Sequence, residues 1–147
     1  MAEATERTAE VTWRGDLLDG EGTIERVGTG AFGPLEVTWK ARAEDQGSLT
    51  SPEELIAAAH AACFSMALSS ALAKGGTPAE ELRSRANVTF VPGTGITRIA
   101  LEVEGAVPGL DDDGFRSAAE QAKDNCPVSQ AVTGNVELSV DARLRTS

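Results

Sequence analysis

The chemistry open to this chain rests on two thiols and one imidazole: Cys63, Cys126 and His60. The cysteines do not form a Cys-x-x-Cys pair. A zinc site could at best combine Cys63, Cys126 and His60 with a carboxylate. Two well-separated cysteines in a reducing compartment are either small buried apolar residues or a redox couple. Cys63 sits in Ala-Ala-His-Ala-Ala-Cys-Phe-Ser-Met, where periodicity alone makes it a core residue. Cys126 precedes Pro127 at the start of a short helix, where backbone N–H groups would favour a thiolate; otherwise it is a structural helix-end residue. Two charged residues bear on these thiols. Arg42 ends the third strand, where arginines are usually solvated. Glu53 lies ten residues before Cys63, close to three turns on one side of a helix but about 15 Å away along its axis. It could meet the Cys63 of another subunit if the helices cross. His60 reads as a satisfied core or interface residue.

These side chains have to be positioned by the elements around them. Residues 8–14, 21–27 and 35–42 are rich in β-formers and separated by Gly15, Gly20, Gly28, Gly30 and Gly33, which predicts a three-stranded antiparallel meander. After a polar loop over 43–51, Ser51 is a good N-cap, Pro52 a good first helical residue, and Glu53 and Glu54 suit the positive first turn. The helix runs to Lys74 and stops at Gly75-Gly76. Thr77 to Leu82 reads as a short helical turn. Strands are predicted over 84–91 and 96–107. In the second, Thr97, Ile99, Leu101 and Val103 form a packed face, against Ile96, Arg98, Ala100, Glu102 and Glu104 on the wet one. Asp111, Asp112 and Asp113 open a helix to about Asn125, Pro127 starts a short one through Ala131, and 135–144 alternates as a last strand. The expected fold is one α+β domain over 1–147, with a flexible stretch over 1–7, a mostly antiparallel sheet and a long buried central helix.

That helix is apolar or small almost all round from Leu55 to Leu72, apart from His60, Ser65, Ser69 and Ser70. Such a helix must be buried all round. A chain of 147 residues can hardly wrap five turns, so a homodimer around this helix is expected. The net charge of −10 repels phosphate backbones and anionic lipid, so neither nucleic acid nor a membrane surface is an expected partner. No run reaches the roughly 18 consecutive apolar residues of a membrane span. Met1 to Glu10 lacks the basic start and apolar run of a secretory leader, and the expected compartment is the cytoplasm.

The run from Thr50 through Pro52-Glu53-Glu54-Leu55, His60-Ala61-Ala62-Cys63-Phe64-Ser65-Met66 to Ser69 closely resembles the central helix of the osmotically inducible protein C and organic hydroperoxide resistance family, nearer its osmotically inducible branch. Asn125-Cys126-Pro127-Val128-Ser129-Gln130 resembles that family's second cysteine motif. Ser51 stands where members often carry Asn. The element order also fits, so the resemblance covers nearly the whole chain after residue 8. It implies an intertwined α+β homodimer with two active sites at the interface. It places the peroxidatic cysteine on Cys63, the resolving cysteine on Cys126, the glutamate on Glu53 and the arginine on Arg42, with Lys40 as the alternative cation. The implied activity is thiol-dependent reduction of alkyl or lipid hydroperoxides in oxidative or osmotic stress. An external dithiol of lipoyl type serves as reductant, and no metal, flavin or haem is required. Chemically, a buried thiol is inert until a guanidinium stabilises its thiolate and a carboxylate holds that guanidinium. Phe64, Met66 and Leu55 are expected to line an apolar pocket for the organic substrate. Two other readings stay open: a carrier of small apolar ligands on the same scaffold, and a structural dimer with unreactive cysteines.

Overall fold

The computed structural model describes residues 3–145. Backbone contacts group the chain into two compact units, one up to Pro52 and one from Glu53 onward. Residues 3–7 carry no regular structure and are exposed; Met1 and Ala2, the first of the stretch expected to be flexible, lie outside the described residues.

The first unit is the predicted meander, with its third strand cut short. Strands β1 (Ala9–Arg14), β2 (Glu21–Val27) and β3 (Leu35–Val37) form an antiparallel sheet in the order β1-β2-β3. The expected strand over 35–42 ends at Val37, which pairs with Gly22. β2 begins one residue earlier, at Glu21, so a longer β3 would soon run out of partner. Thr38 turns the chain instead: its Oγ1 accepts from the Ala41 N–H at 3.1 Å and caps helix α1 (Trp39–Ala43). Arg42 and Lys40 therefore sit on a helical turn and not on a strand. The unit buries little apolar surface, chiefly Ile24 and Ala41, and leaves Val11, Trp13, Leu17, Leu18 and Phe32 exposed.

The second unit carries the main core. Helix α2 (Pro52–Lys74) opens on Pro52 with Glu53 and Glu54 in its first turn, as expected. It closes in a Schellman motif: Thr77 N–H bonds Leu72 O, Gly76 N–H bonds Ala73 O, and Gly76 takes a φ of +91° that favours glycine. Thr77–Leu82 is not a helical turn. Pro78 blocks continuation, Glu80 N–H bonds Ala106 O at 2.8 Å, and strand β4 (Glu81–Val91) begins almost at once. β4 pairs antiparallel with β5 (Gly95–Ala106), and β5 pairs in parallel with β6 (Glu137–Leu144), giving the order β4-β5-β6. The parallel pair needs a crossover, made by helices α3 (Asp112–Asn125) and α4 (Pro127–Val132). Asp111 caps α3 by accepting from Gly114 N–H. The alternation of β5 holds: Ile99, Leu101 and Val103 are buried, while Arg98 and Glu104 are exposed. The class is α+β, and three of the four strand pairings are antiparallel.

α2 lies over this core on one side only. Phe64, Leu68 and Leu72 recur every four residues and join Leu101 and Val103 of β5 and Phe115, Ala119 and Ala122 of α3 in one apolar cluster. Ala59, Ala62, Met66, Ser69 and Ala73 face outward, with Met66 72% exposed. Burial all round, expected from the composition, is thus absent within one chain, because sheet β4-β5-β6 and α3 reach a single face. By length and composition α2 is long and apolar enough to cross a membrane, which the count of consecutive apolar residues did not predict. His60 and the serines interrupt the run, yet the leucines, Ile56 and the alanines keep the stretch apolar on average.

Phe115 fits against β5 only because residue 105 has no side chain. A Cβ built on Gly105 would stand 2.6 Å from Phe115 Cζ, and Phe115 is fully buried. Gly105→Ala should therefore lower stability by about 1–3 kcal/mol, the usual range for overpacking. The check is the urea midpoint at fixed protein concentration.

Candidate active site

The site begins with a break between two helices. A residue before proline is pushed out of the α region. Cys126, ahead of Pro127, accordingly has φ −62° and ψ 128°. It ends α3, its N–H bonding Ala122 O at 2.9 Å, and it is also the N-cap of α4, with Pro127 at the first helical position. The bend carries its side chain to α2. Cys126 Sγ donates to Cys63 Sγ at 3.0 Å, and both cysteines are free thiols. Cys126 is fully buried, whereas Cys63 is half-buried. Of the pair, Cys63 is the one a molecule from solvent can meet.

The helix-start N–H groups expected to serve Cys126 act elsewhere. Cys126 makes no side-chain cap hydrogen bond. The Val128 N–H, in the first turn of α4, is directed to Cys63. Even so, the Cys63 thiol is pushed up from its ordinary value, first by burial and then by the Cys126 thiol; the Val128 N–H pulls the other way and is outweighed. Within the second unit, then, the balance favours the protonated thiol.

One turn before Cys63, His60 Nε2 lies 2.7 Å from Ser129 Oγ, and both residues are fully buried. His60 Nδ1 is buried with no partner. Which of the two donates follows from the tautomer: with the ring proton on Nε2 the imidazole donates to Ser129 Oγ, and with it on Nδ1 the hydroxyl donates to Nε2. The burial expected for His60 is present, but the ring is satisfied at one nitrogen only. Ser129 was not singled out in the sequence. Its signal is its spacing, three residues after Cys126 as His60 stands three before Cys63. Among the described residues, no group of three or more His, Cys, Asp or Glu side chains is arranged to hold a metal, so Cys63, Cys126 and His60 do not assemble with a carboxylate into a ligand set.

Arg42 belongs to the first unit. It is half-buried and lines a cavity of about 400 Å³ with Trp13, Leu17, Val37, Trp39 and Pro52. Lys40, the alternative cation, is exposed. Glu53 belongs to the second unit and is buried, at 7% exposure, in the first turn of α2. Phe64 is a fully buried core residue and Met66 points outward, while the tryptophans of the first unit wall the cavity.

A protein-family model described as OsmC-like protein matches residues 43–141. The chain belongs to the OsmC-like family. It is 38% identical over 143 residues to the peroxiredoxin OsmC of Escherichia coli strain K12, covering 95% of this chain and 97% of that one. To the organic hydroperoxide resistance protein of Xanthomonas axonopodis pv. citri it is 31% identical over 100 residues, 64% of this chain and 67% of that one. Among solved structures, the organic hydroperoxide resistance protein OhrB of Bacillus subtilis superposes with a TM-score of 0.65 at 27% identity, covering 92% of this chain and 97% of that one. An OsmC-like protein of Mycoplasma pneumoniae shares the fold at a TM-score of 0.68 and 13% identity, covering 99% of this chain and all of that one. The α+β fold of this OsmC-like chain, with its two small sheets and four helices, is thus the fold of these structures.

The buried imidazole has a consequence in pH. Burial lowers the His60 pKa from its ordinary 6.5. Below about pH 6.5 the unfolded chain therefore binds a proton that the folded chain does not. Stability should fall as the pH drops from 6.5 toward the lowered folded value, by up to about tenfold in the folding equilibrium per pH unit, and should not respond to this group above 6.5. Urea midpoints at pH 7.5 and 5.5 should decline less in His60→Gln than in the parent. Parallel declines would show that the acid sensitivity lies elsewhere.

Proposed function

We propose that this OsmC-like protein is a two-cysteine peroxidase that reduces alkyl or lipid hydroperoxides in oxidative or osmotic stress, with Cys63 peroxidatic and Cys126 resolving. The observation that carries the reading is the 3.0 Å approach of the two thiols, with the half-exposed one on α2 and the buried one behind it. The names of the Escherichia coli and Xanthomonas relatives support the substrate class. In the proposed cycle the Cys63 thiolate attacks one oxygen of ROOH. The O–O bond breaks, the alkoxide leaves and takes a proton to become ROH, and Cys63 is left as a sulfenic acid. The Cys126 thiol then displaces that hydroxyl as water, forming a Cys63–Cys126 disulfide. An external dithiol, lipoyl-type in its chemistry, reduces the bridge by exchange and leaves as its own cyclic disulfide. No metal or organic cofactor takes part.

A thiol pushed upward by its burial needs a cation to react at neutral pH. In this reading Arg42 is that cation and Glu53 orients it. The half-burial of Arg42 in an apolar cavity supports it over the exposed Lys40. The same cavity, walled by Trp13 and Trp39, is the proposed seat of the organic tail. The cytoplasm, where thiols are kept reduced, is the proposed compartment.

The working form is a homodimer. The first unit leaves Val11, Trp13, Leu17, Leu18 and Phe32 exposed, and α2 leaves a row of small residues around Met66 uncovered. A second copy is the partner that would cover both. Sedimentation should give twice the 15.3 kDa of one chain, and Met66→Asp should shift it toward one. A monomer at micromolar concentration would remove this part of the reading.

Consumption of cumene hydroperoxide with dihydrolipoamide, with hydrogen peroxide alongside, tests the activity. Catalytic turnover is expected, faster with the organic substrate. Cys63→Ser should abolish it. Cys126→Ser should allow one turnover and then stop with a trappable sulfenic acid. Arg42→Met should slow the peroxide step by about tenfold to a hundredfold, the rate equivalent of losing a hydrogen bond to a charged group. Full activity in Cys63→Ser would refute the assignment, and inert but intact thiols would favour a ligand carrier.

A further inference from the structure

Two side-chain polar contacts join α2 to the start of α4, one helical turn apart. The first is Cys63 with Cys126 at 3.0 Å. The second is His60 with Ser129 at 2.7 Å. His60 stands three residues before Cys63, and Ser129 three residues after Cys126. Three residues along a helix rise about 4.5 Å and keep side chains on nearly the same side. The contacts are therefore two rungs between the same two segments, which run in opposite senses where they meet.

The second rung has features that simple packing does not require. Both side chains are fully buried, and His60 Nδ1 has no partner. Apolar residues of similar shape would fill the space without stranding a polar atom, and replacing both partners of a buried hydrogen bond in that way is often nearly neutral. What apolar contacts do not supply is a fixed length and direction, since dispersion is weak per contact and non-directional. α4 has six residues, well under the roughly 12–15 at which an isolated helix begins to hold itself. Within α4, Gln130 N–H bonds Cys126 O and Thr133 Oγ1 bonds Ser129 O, while the Val128 N–H is directed to Cys63 and so belongs to the cysteine rung. Val128 also packs against the core cluster, but apolar contact fixes no direction, so the directional contacts that can set the axial placement of α4 on α2 are the two rungs. The cysteine rung is remade at every turnover, so it cannot be the fixed reference.

We infer that His60 and Ser129 are positioning residues for the resolving step, their hydrogen bond fixing the register of α4 on α2 and holding Cys126 Sγ in line with Cys63. The inference rests on the two-cysteine reading above. Neither residue touches the peroxide. They act when the Cys63 sulfenic acid gives up its hydroxyl, the Cys126 thiol gives up its proton, the two leave as water, and the sulfurs close from contact to a bond of about 2.05 Å. The His60–Ser129 rung is the pivot for that closure.

The test uses the full-length protein and separates two steps. In the first measurement, the chain is equilibrated with reduced and oxidised glutathione, and the fraction of Cys63–Cys126 disulfide is read after acid quenching and alkylation. This gives the effective concentration of the thiol pair without any peroxide. Ser129→Ala should lower it about fivefold to tenfold, the equilibrium equivalent of one buried hydrogen bond. In the second, a pulse of cumene hydroperoxide is followed. Sulfenic acid should form at the parent rate within about twofold, while closure slows by the same fivefold to tenfold and more Cys63 is trapped by dimedone. His60→Leu combined with Ser129→Ala removes both polar partners and should recover stability while closure stays slow. A parent-like effective concentration in both variants would overturn the inference. So would a double variant that regains fast closure together with stability, since the pair would then be structural only. If the parent fails to turn over peroxide but the glutathione equilibrium shifts as expected, the peroxidase reading falls and the positioning role stands.

Discussion

The site depends on one local constraint, the conformation that Pro127 imposes on Cys126. A proline clashes with an α-helical residue before it. Cys126 therefore leaves the helical region at ψ 128°, α3 stops, and α4 starts in a new direction. Without that break the helix of Asp112–Asn125 would run on, and the sulfur of residue 126 would follow the α3 axis. With it, the sulfur is delivered to Cys63, and the Val128 N–H is aimed at the same atom. The parallel pairing of β5 with β6 follows from the same segment, since α3 and α4 together make the crossover it requires. Fold and site are joined at one dipeptide.

The second organising tension is electrostatic. The cluster that holds α2 in place includes Phe64, next to Cys63, and Cys126 itself. Burial of that kind disfavours a thiolate, and a single backbone N–H does not reverse it. Rigid placement of two thiols and ready ionisation of one are opposing demands on the same environment. In the proposed mechanism they are divided between the two units: the second supplies the rigid pair, and the first supplies Arg42 on a short helix beside an apolar cavity. A guanidinium suits this division, because it keeps its charge when partly buried, whereas a lysine ammonium gives its proton up more readily there.

How much could be read in advance varied with how local the cause was. The start of α2 at Pro52-Glu53-Glu54, its stop at Gly75-Gly76, the acidic start of α3 and the alternation of β5 are all set within a few residues, and the structure bears them out. The sequence puts Arg42 on a strand because β-formers continue past Val37; what ends the strand is the limit of its partner β2 and the cap made by Thr38, and the first of these is not local. Thr77–Leu82 reads locally as a turn of helix because the partner of β4, the far end of β5, lies about 25 residues away. The cysteine pair was expected on a motif resemblance, and its contact is geometric fact. The His60–Ser129 bond is not legible in the sequence, because a lone histidine and a common serine carry no signal until the fold sets their segments side by side.

Burial is the remaining asymmetry. Apolar area removed from water stabilises by roughly 25 cal/mol per Å². In the second unit β5, α3 and one face of α2 take that benefit. The first unit has little of it, with Ile24 and Ala41 as its chief buried apolar residues and five large ones left in water. A sheet of three short strands with so thin a core is marginal by itself. The outward face of α2 is built from alanines and serines around Met66, side chains small enough for another helix to approach closely. A second copy covering both surfaces would complete the core of the first unit. It would also surround α2, whose sequence is apolar almost all round, and deepen the burial that pushes the Cys63 thiol upward. On this view, dimerisation and catalysis in the proposed enzyme are one requirement, because the same burial that completes the fold sets the ionisation problem that Arg42 answers.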